Sequence, residues 1–286
     1  MSRSADVTVG HLVAGVIGLA LIRHWYLDGD VNNARMAELS DLLGRLDEPP
    51  FSKAVNPVNR DLDAGYADWA ASYDGPNPMI ESEEAAVRPI LESLAGPGVQ
   101  VLDAACGTGR HAAFLTDHGC TVTGVDQSEA MLAVARSKVP GARFECADIR
   151  DLPYKDGEFD LVVISLALSH LADPTGALVE LRRVLLPGGT LVITDPHPSC
   201  LVVGGQAFYG SVEPGRPVSW IRNHYHSTST WLRAFRTAGL VVEDCQEPTY
   251  TDAQIVSNPA ASAYPDALLP AIAGLSSLWV WTLRRR

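Results

Sequence analysis

Basic residues are scarce in this sequence, and their scarcity limits the partners that the chain can have. There are 22 Lys and Arg residues against 34 Asp and Glu among 286 residues, which gives a formal net charge of −12 and a pI near 5.0. Proteins that bind a nucleic-acid backbone carry a basic face that neutralises phosphates. The charge balance therefore disfavours a nucleic-acid partner, and it disfavours anionic membrane surfaces for the same reason.

Cysteine is also sparse, and its spacing argues against two kinds of structure. The five cysteines never form a C-x-x-C pair and lie at Cys106, Cys120, Cys146, Cys200 and Cys245. An odd number of scattered thiols is typical of reduced cytoplasmic proteins. We therefore expect a cytoplasmic protein that has no disulfides and no zinc cluster.

No apolar run is long enough for a comfortable membrane span. The stretch from Val7 to Ile22 is interrupted by His11 and three glycines, and Arg3 is the one basic residue before it. We expect neither a membrane helix nor a signal peptide there, but a buried helix that ends near Trp25. An amphipathic helix should follow, with apolar side chains at Met36, Leu39, Leu42, Leu43 and Leu46.

These two helices predict an N-terminal helical extension over residues 1–60. The extension either packs on the core, or acts as a lid on a substrate pocket, or forms a homodimer interface. From Val99 onward, short apolar runs alternate with helical patterns, which predicts a mainly parallel sheet with helices on both faces.

The first of these strands ends in a glycine turn that is suited to a nucleotide-like ligand. Gly107 and Gly109 let the backbone approach a ligand closely, and the helix that begins near Arg110 offers unpaired N–H groups. The spacing Gly107-x-Gly109-x-x-Ala112 also satisfies the loose dinucleotide fingerprint. The glycines alone therefore leave a nicotinamide-dependent oxidoreductase open.

Asp103, at the end of the same strand, favours a cationic ligand over a pyrophosphate. With this acidic residue and its Gly-x-Gly turn, the segment resembles the first motif of the class I S-adenosylmethionine (SAM)-dependent methyltransferases, of the small-molecule, type 11-like kind. SAM carries a sulfonium and an ammonium group. Ala105 departs from the pattern, since the family often has a third glycine there.

The resemblance implies an α/β fold with a Rossmann-like, doubly wound, seven-stranded sheet. The implied strand order is 3-2-1-4-5-7-6 with the last strand antiparallel, in a methyltransferase domain over residues 61–286 that holds a substrate-lid insertion at 197–226. The turn Pro187-Gly188-Gly189 before strand five is typical of this core. The Asn/Asp-Pro-Pro-aromatic signature of nucleic-acid amino-methyltransferases does not follow strand four.

Two further carboxylates follow the next two strands. Asp126 stands where a βαβ unit has its ribose ligand, although Asp126 or Ser128 also suits a helix cap. By resemblance, Asp148 accepts from the exocyclic amine of adenine and Ile149 packs on the ring, with a solvated loop carboxylate as the alternative. The implied cofactor site for SAM, or its product S-adenosylhomocysteine (SAH), consists of Tyr73, Asp103, Ala105, Cys106, Gly107, Gly109, Asp126, Gln127, Met131, Asp148, Ile149 and Ser165.

Three histidines are candidates for acid–base chemistry. His170 follows strand four, and an imidazole with a pKa near ~6.5 takes protons at neutral pH, although packing also explains it. His224 and His226 are candidates for substrate contact or proton transfer. As a pair they lack a third and a fourth metal ligand, so we expect no metal.

The sequence thus predicts methyl transfer from SAM to a small-molecule acceptor at an oxygen, nitrogen or carbon atom. Two aromatic-rich accessory regions indicate a partly apolar or secondary metabolite rather than a polymer. The alternative is a protein that binds SAM or SAH and uses it structurally, as a cyclase or a regulatory module.

Overall fold

The computed structural model describes residues 6–210, 218–256 and 264–286. Its helices are, in chain order, α1 (Val9–His24), α2 (Gly29–Gly44), α3 (Leu62–Trp69), α4 (Pro78–Leu94), α5 (Arg110–Asp117), α6 (Glu129–Lys138), α7 (Thr175–Val184), α8 (Pro198–Val202), α9 (Thr228–Ala238), α10 (Asp252–Val256) and α11 (Pro265–Ile272). Its strands are β1 (Val58–Arg60), β2 (Gln100–Ala104), β3 (Thr121–Asp126), β4 (Arg143–Cys146), β5 (Phe159–Ser165), β6 (Leu185–Pro196), β7 (Ala207–Tyr209), β8 (Ser219–Ile221), β9 (Leu240–Gln246) and β10 (Leu278–Arg285).

The chain divides into two compact units, one of residues 1–58 with 249–275 and the other of residues 59–248 with 276–286. Residues 249–275 therefore group with the N-terminal residues, while the predicted boundary at residue 60 stays a prediction. The smaller unit contains α1, α2, α10 and α11. The helices α10 and α11 both lie between Tyr250 and Gly274.

The helix α1 occupies the apolar N-terminal stretch. Val13, Ile17 and Ala20 are buried, but Leu12 and Ile22 are exposed, so α1 buries one face and is not the fully buried helix that we expected. In α2, Leu42 is buried, whereas Met36 and Leu43 are exposed. No helix in the described ranges combines the length and the apolar character needed to cross a membrane.

The larger unit is built on a seven-stranded sheet in the order β4-β3-β2-β5-β6-β10-β9. The strands from β4 to β6 pair in parallel, and β10 pairs antiparallel with both β6 and β9. Counted within the sheet, this order is 3-2-1-4-5-7-6 with an antiparallel last strand. The predicted fold class is therefore confirmed.

The strand β5 shows why the centre of the sheet was recognisable from the sequence. Leu161 and Val163 pack into the core on one face, and Val162 and Ile164 pack into the core on the other. A strand buried on both faces reads as a continuous apolar run. Burial on both faces fixes the register of such a strand. Because β2, β3 and β5 run parallel, their carboxyl ends lie at one edge of the sheet.

Strand five and the insertion differ from expectation. β6 begins at Leu185 rather than Thr190, because residues 186–189 form a bulge in the strand: Phe159 pairs with Leu185, and Leu161 pairs with Thr190. In the predicted lid insertion, β7 and β8 pair antiparallel in a small sheet with β1. Residues 211–217 of that insertion lie outside the described residues.

Candidate active site

The turn between β2 and α5 contains three residues with positive φ. The φ angle is 53° at Ala105, 54° at Gly107 and 78° at Gly109. Glycine takes such angles freely, whereas alanine is strained there, which gives a physical reason for a third glycine at the position of Ala105. A Cβ on Gly107 would meet no atom within 4 Å, so space is open beside the backbone.

Asp103 is buried behind that turn. Its Oδ2 accepts a hydrogen bond from the backbone N–H of Ala112 at 2.9 Å, which ties the first turn of α5 to β2. Burial raises the pKa of Asp103 to about 6. Asp103 therefore holds the turn in place, and its role toward the cofactor stays a prediction.

Residues at the carboxyl ends of β2, β3, β4 and β5 line a cavity of about 570 Å³. This volume lies within the ~300–1,000 Å³ that small-molecule sites occupy. The predicted site residues that line it are Tyr73, Ala105, Gly107, Asp126, Gln127, Asp148, Ile149, Ser165, His170 and His224. The predicted site residues outside its lining are Asp103, Cys106, Gly109, Met131 and His226.

Backbone N–H groups hold both oxygens of the Asp126 carboxylate in the cavity wall. One of its oxygens accepts from the N–H of Gly107 and the other from the N–H of Ser128, each at 2.8 Å. Burial raises the pKa of Asp126, although these backbone donors act in the opposite direction. The side chain of Ser128 caps α6, so the helix cap and the cavity carboxylate are different residues.

Three more aspartates, Asp61, Asp63 and Asp148, make the cavity wall acidic. Arg150 is the basic residue that lines the same cavity. Arg150 Nε donates to Asp148 Oδ1 at 2.9 Å, and this hydrogen bond lowers the pKa of Asp148. Asp63 accepts from the amide of Gln127 at 2.8 Å, and Asp61 caps α3. The wall therefore carries an excess of negative charge, which suits a cationic ligand.

His170 lies between two hydrogen-bond partners. Its Nδ1 is 2.8 Å from the carbonyl oxygen of Arg222, and its Nε2 is 2.8 Å from the hydroxyl oxygen of Tyr66. Because a carbonyl oxygen only accepts, Nδ1 carries the hydrogen and Nε2 accepts from Tyr66. Burial lowers the pKa of His170, so the imidazole is neutral at neutral pH.

His224 and His226 lie in different environments, one in the cavity lining and the other outside it. His224 lines the cavity, and its backbone N–H donates to the carbonyl of Ser169 at 2.6 Å. His226 is buried, with Nε2 2.9 Å from the carbonyl oxygen of Leu171 and its ring edge-on to Trp231. His226 therefore braces the segment and takes no part in the cavity lining.

A smaller cavity of about 140 Å³ shares Tyr66, Tyr73, Leu166 and His170 with the larger one. Tyr66 and its neighbour Trp69 were not identified as site residues from the sequence. The signal was present, because Tyr66, Trp69 and Tyr73 recur at helical spacing and so share one face. Aromatic residues in that pattern are also ordinary packing, which is why the pattern alone did not single them out.

A buried ion cluster was also missed. Glu83 of α4 accepts from Thr194 Oγ1 at 2.8 Å and from the guanidinium of Arg110, and it lies 3.2 Å from His111 Nε2. Burial alone raises the pKa of Glu83, but His111 and Arg110 bring it below its ordinary value. The cluster joins α4, α5 and β6 through residues that are far apart in the sequence.

Comparison with known proteins relates the chain to methyltransferases. Residues 102–193 match the family model Methyltransf_11, a methyltransferase domain. The chain is 36% identical over 138 residues to a demethylmenaquinone methyltransferase of Beutenbergia cavernae, covering 47% of this chain and 58% of that protein. It is 33% identical over 164 residues to a malonyl-[acyl-carrier protein] O-methyltransferase of Serratia marcescens, covering 55% and 62%. Less than two thirds of either relative is therefore spanned.

A solved structure matches more of the chain. An S-adenosylmethionine-dependent methyltransferase from Mesorhizobium loti aligns with a TM-score of 0.54 and 26% identity, over 71% of this chain and 100% of that one.

Proposed function

We propose that this chain, whose residues 102–193 form a class I methyltransferase domain that uses SAM, transfers a methyl group from SAM to a small-molecule acceptor. The observation that carries the proposal is the position of Asp126. Its carboxylate opens on the larger cavity at the end of β3 while two backbone N–H groups hold it. Its remaining lone pairs are suited to the two hydroxyls of a ribose.

Other residues of the larger cavity also fit the cofactor. Gly107 leaves open space for a ligand beside the backbone. Ser165 Oγ is buried in the cavity wall and has no hydrogen-bond partner among the described residues, so a polar group of the methionine part of SAM would satisfy it. We assign Tyr73 and Gln127 to the same site. We assign a different role, support of the glycine turn, to the predicted cofactor residues that lie outside the lining, which are Asp103, Cys106, Gly109 and Met131.

We assign the adenine end of the cofactor to Asp148 and Ile149. Both line the cavity, and Ile149 also packs against the core beneath it. Arg150 places three N–H groups on the Asp148 carboxylate, from its backbone, Nε and Nη2. A carboxylate has about four acceptor sites, so about one remains for an amine.

SAM supplies a methyl group that is already activated by a positively charged sulfur. The protein has to exclude water, orient the acceptor and, where the acceptor carries a proton, remove it. We assign that proton to Nε2 of His170, which is neutral, accepts a hydrogen bond from Tyr66 and has its other nitrogen held by Arg222. His224 is the second candidate for contact with the acceptor.

The two relatives are named for different acceptors, so they support the reaction and not the acceptor. The smaller, largely apolar cavity supports a partly apolar small molecule, and the insertion that contributes Gln206, Phe208 and Asn223 to it is our candidate for the substrate lid. The acidic composition and the scattered thiols support a cytoplasmic location.

Calorimetry of the full chain with SAH tests the proposal. We expect saturable binding of SAH and no heat with NAD. In a second measurement, SAM should be converted to SAH in equal amount with methylated product when an acceptor is present. Absence of SAH binding would contradict the proposal. Tight binding without turnover across a broad acceptor panel would favour structural use of the cofactor, as in a cyclase or a regulatory module.

The smaller unit supports a homodimer as a further part of the proposal. Ile22, Trp25, Tyr26 and Leu27 follow one another near the end of α1, and all are exposed. Exposed apolar groups of this kind mark interaction sites. Light scattering during size-exclusion chromatography should give twice the chain mass, and Trp25→Ser with Tyr26→Ser should reduce it to a monomer; a monomeric wild-type chain would contradict this part.

A further inference from the structure

The smaller cavity has the size and the lining of a slot for one aromatic ring. Its volume is about 140 Å³, and an engineered apolar cavity of ~150 Å³ in another protein binds benzene. Apolar and aromatic side chains form most of its wall, among them Trp69, Met79, Ile80, Leu166 and Phe208. A single six-membered ring therefore fits, and the rest of a larger ligand would lie outside the slot.

The charge of the slot differs from that of the larger cavity. No Asp, Glu, Lys or Arg side chain lines it in the described part of the chain, whereas four aspartates and Arg150 line the larger cavity. Its polar residues use their acceptor oxygens inside the protein: Asn77 caps α4, Gln206 accepts from the N–H of Asn223, and Asn223 accepts from a serine hydroxyl. A charged ligand would be desolvated there without a side chain of opposite charge, so the slot favours a neutral one.

Aromatic packing makes the slot rigid. The ring of Trp69 lies 5.9 Å from that of Tyr66 and 5.0 Å from that of Tyr209, with interplanar angles of 16° and 12°. Tyr73 meets Trp69 edge-on at 4.9 Å. Because these rings fix one another before a ligand arrives, little conformational entropy is lost when a flat ring enters.

Tyr66 and His170 connect the slot to the larger cavity, because both residues line both spaces. The hydroxyl of Tyr66 donates to Nε2 of His170, so the hydroxyl oxygen keeps its lone pairs for a donor from the ligand. Burial raises the pKa of Tyr66 and lowers the pKa of His170, so the tyrosine stays protonated and the imidazole stays neutral.

We propose that the slot binds the methyl acceptor through one neutral aromatic ring that carries a hydroxyl group, and that this hydroxyl donates a hydrogen bond to Tyr66 Oη. The inference rests on the proposed function. In the reaction the acceptor oxygen forms a bond to the methyl carbon, and the bond between that carbon and the sulfur of SAM breaks with its electron pair left on sulfur. The hydroxyl proton of the acceptor passes to Tyr66 Oη, and the proton of Tyr66 passes to Nε2 of His170. Tyr66 ends neutral, and His170 ends protonated, still donating from Nδ1 to the carbonyl of Arg222.

Three small probes test the slot on the full chain saturated with SAH. Saturation-transfer NMR titrations compare phenol, anisole, which lacks the O–H, and cyclohexanol, which lacks the aromatic ring. We expect phenol to bind about 2–10-fold more tightly than anisole, the range for one hydrogen bond, and cyclohexanol to bind more weakly than phenol. Equal affinity for phenol and anisole would overturn the contact with Tyr66, and absence of phenol binding would overturn the slot.

Variants locate the binding. Ala207 lines the slot, so Ala207→Phe should fill it and abolish phenol binding while SAH affinity stays within about twofold. Ile80→Phe fills the slot from another side and carries the same expectation if the first variant does not fold. Tyr66→Phe should remove the preference for phenol over anisole, whereas Tyr225→Phe, at an exposed tyrosine, should retain it. Phenol binding that survives both filled variants contradicts the proposal.

Nitrogen-15 NMR of the histidines gives a readout that a purely structural role of Tyr66 would not move. We expect His170 to carry its hydrogen on Nδ1 and the Nε2 resonance to shift on addition of phenol but not of anisole; a hydrogen on Nε2 would overturn the proton route. SAH binding without phenol binding refutes the slot and leaves the methyltransferase proposal intact. Failure of SAH itself to bind removes both.

Discussion

The strand wall and the helix wall of the larger cavity are built differently. On the strand wall, Asp126 accepts hydrogen bonds from the backbone N–H groups of Gly107 and Ser128, each at 2.8 Å. On the helix wall, Tyr66 is held by packing against Trp69, which itself stacks on the distant Tyr209, and by one side-chain hydrogen bond to His170. A wall that is fixed by backbone hydrogen bonds keeps one shape, so it suits a ligand that never varies. A wall that is formed by packed side chains changes shape when those side chains are substituted, so it suits one particular acceptor.

The largest expected effect is on the strand wall. Asp126→Ala removes the acceptor of two backbone N–H groups and of the proposed ribose hydroxyls, so SAH affinity measured by calorimetry should fall about 10–100-fold, the range for hydrogen bonds to a charged group. Asp244→Ala, at an exposed aspartate of β9, is the matched control and should leave affinity within about twofold. If Asp126→Ala left SAH affinity unchanged, the proposed difference between the strand wall and the helix wall would be contradicted.

Glycine substitutions compare the rigidity of the two walls. A Cβ on Gly124 of β3 would lie 2.6 Å from two ring atoms of Phe144 and 3.0 Å from Cys106 Sγ, so Gly124→Ala should lower the free energy of unfolding by about 1–3 kcal/mol. A Cβ on Gly65 of α3 would meet the flexible end of Ile221 at 2.6–2.7 Å. Gly65→Ala also gains up to ~1 kcal/mol of helix propensity. Urea unfolding should therefore show a smaller loss for Gly65→Ala, and an equal or larger loss would contradict the comparison.

The smallest effect concerns Asp195, a strand-end carboxylate with less support than Asp126. One oxygen accepts from the N–H of Ser169 at 3.1 Å, and the other has no hydrogen-bond partner among the described residues. Burial raises the pKa of Asp195 to about 7. The folded state therefore holds an extra proton between pH ~4 and pH ~7, and stability falls as pH rises through that window.

Asp195→Asn removes this titration. Relative to the wild type, its free energy of unfolding should rise by about 1 kcal/mol from pH 6 to pH 7, measured by urea unfolding at both values. Asp244→Asn, at an exposed carboxylate, should show no such change. If the difference in free energy of unfolding between Asp195→Asn and the wild type were the same at pH 6 and pH 7, hydrogen bonds would compensate the burial of Asp195 as well as they compensate the burial of Asp126.

Local patterns made the strand wall predictable. Asp126 and Gly107 belong to one βαβ unit, so their meeting was implied by the order of elements. Glu83 was not predictable, because its partners Arg110 and Thr194 are 27 and 111 residues away. The helix α11 is also hard to predict, because it begins at Pro265 and contains Pro270, and proline usually ends helices although it is tolerated in the first turn.

The sequence by itself determined the strands of the sheet and the carboxylates at their ends, because buried parallel strands and glycine turns leave a signal within a few residues of each other. The strand order was implied by the resemblance to the methyltransferase core. Only the tertiary structure decided that Asp103 turns inward while Asp126 faces the cavity, that Tyr66 meets His170, and that a ring-sized slot opens beside them. Those contacts depend on side chains brought together from distant elements, and their packing leaves no periodic trace along the chain.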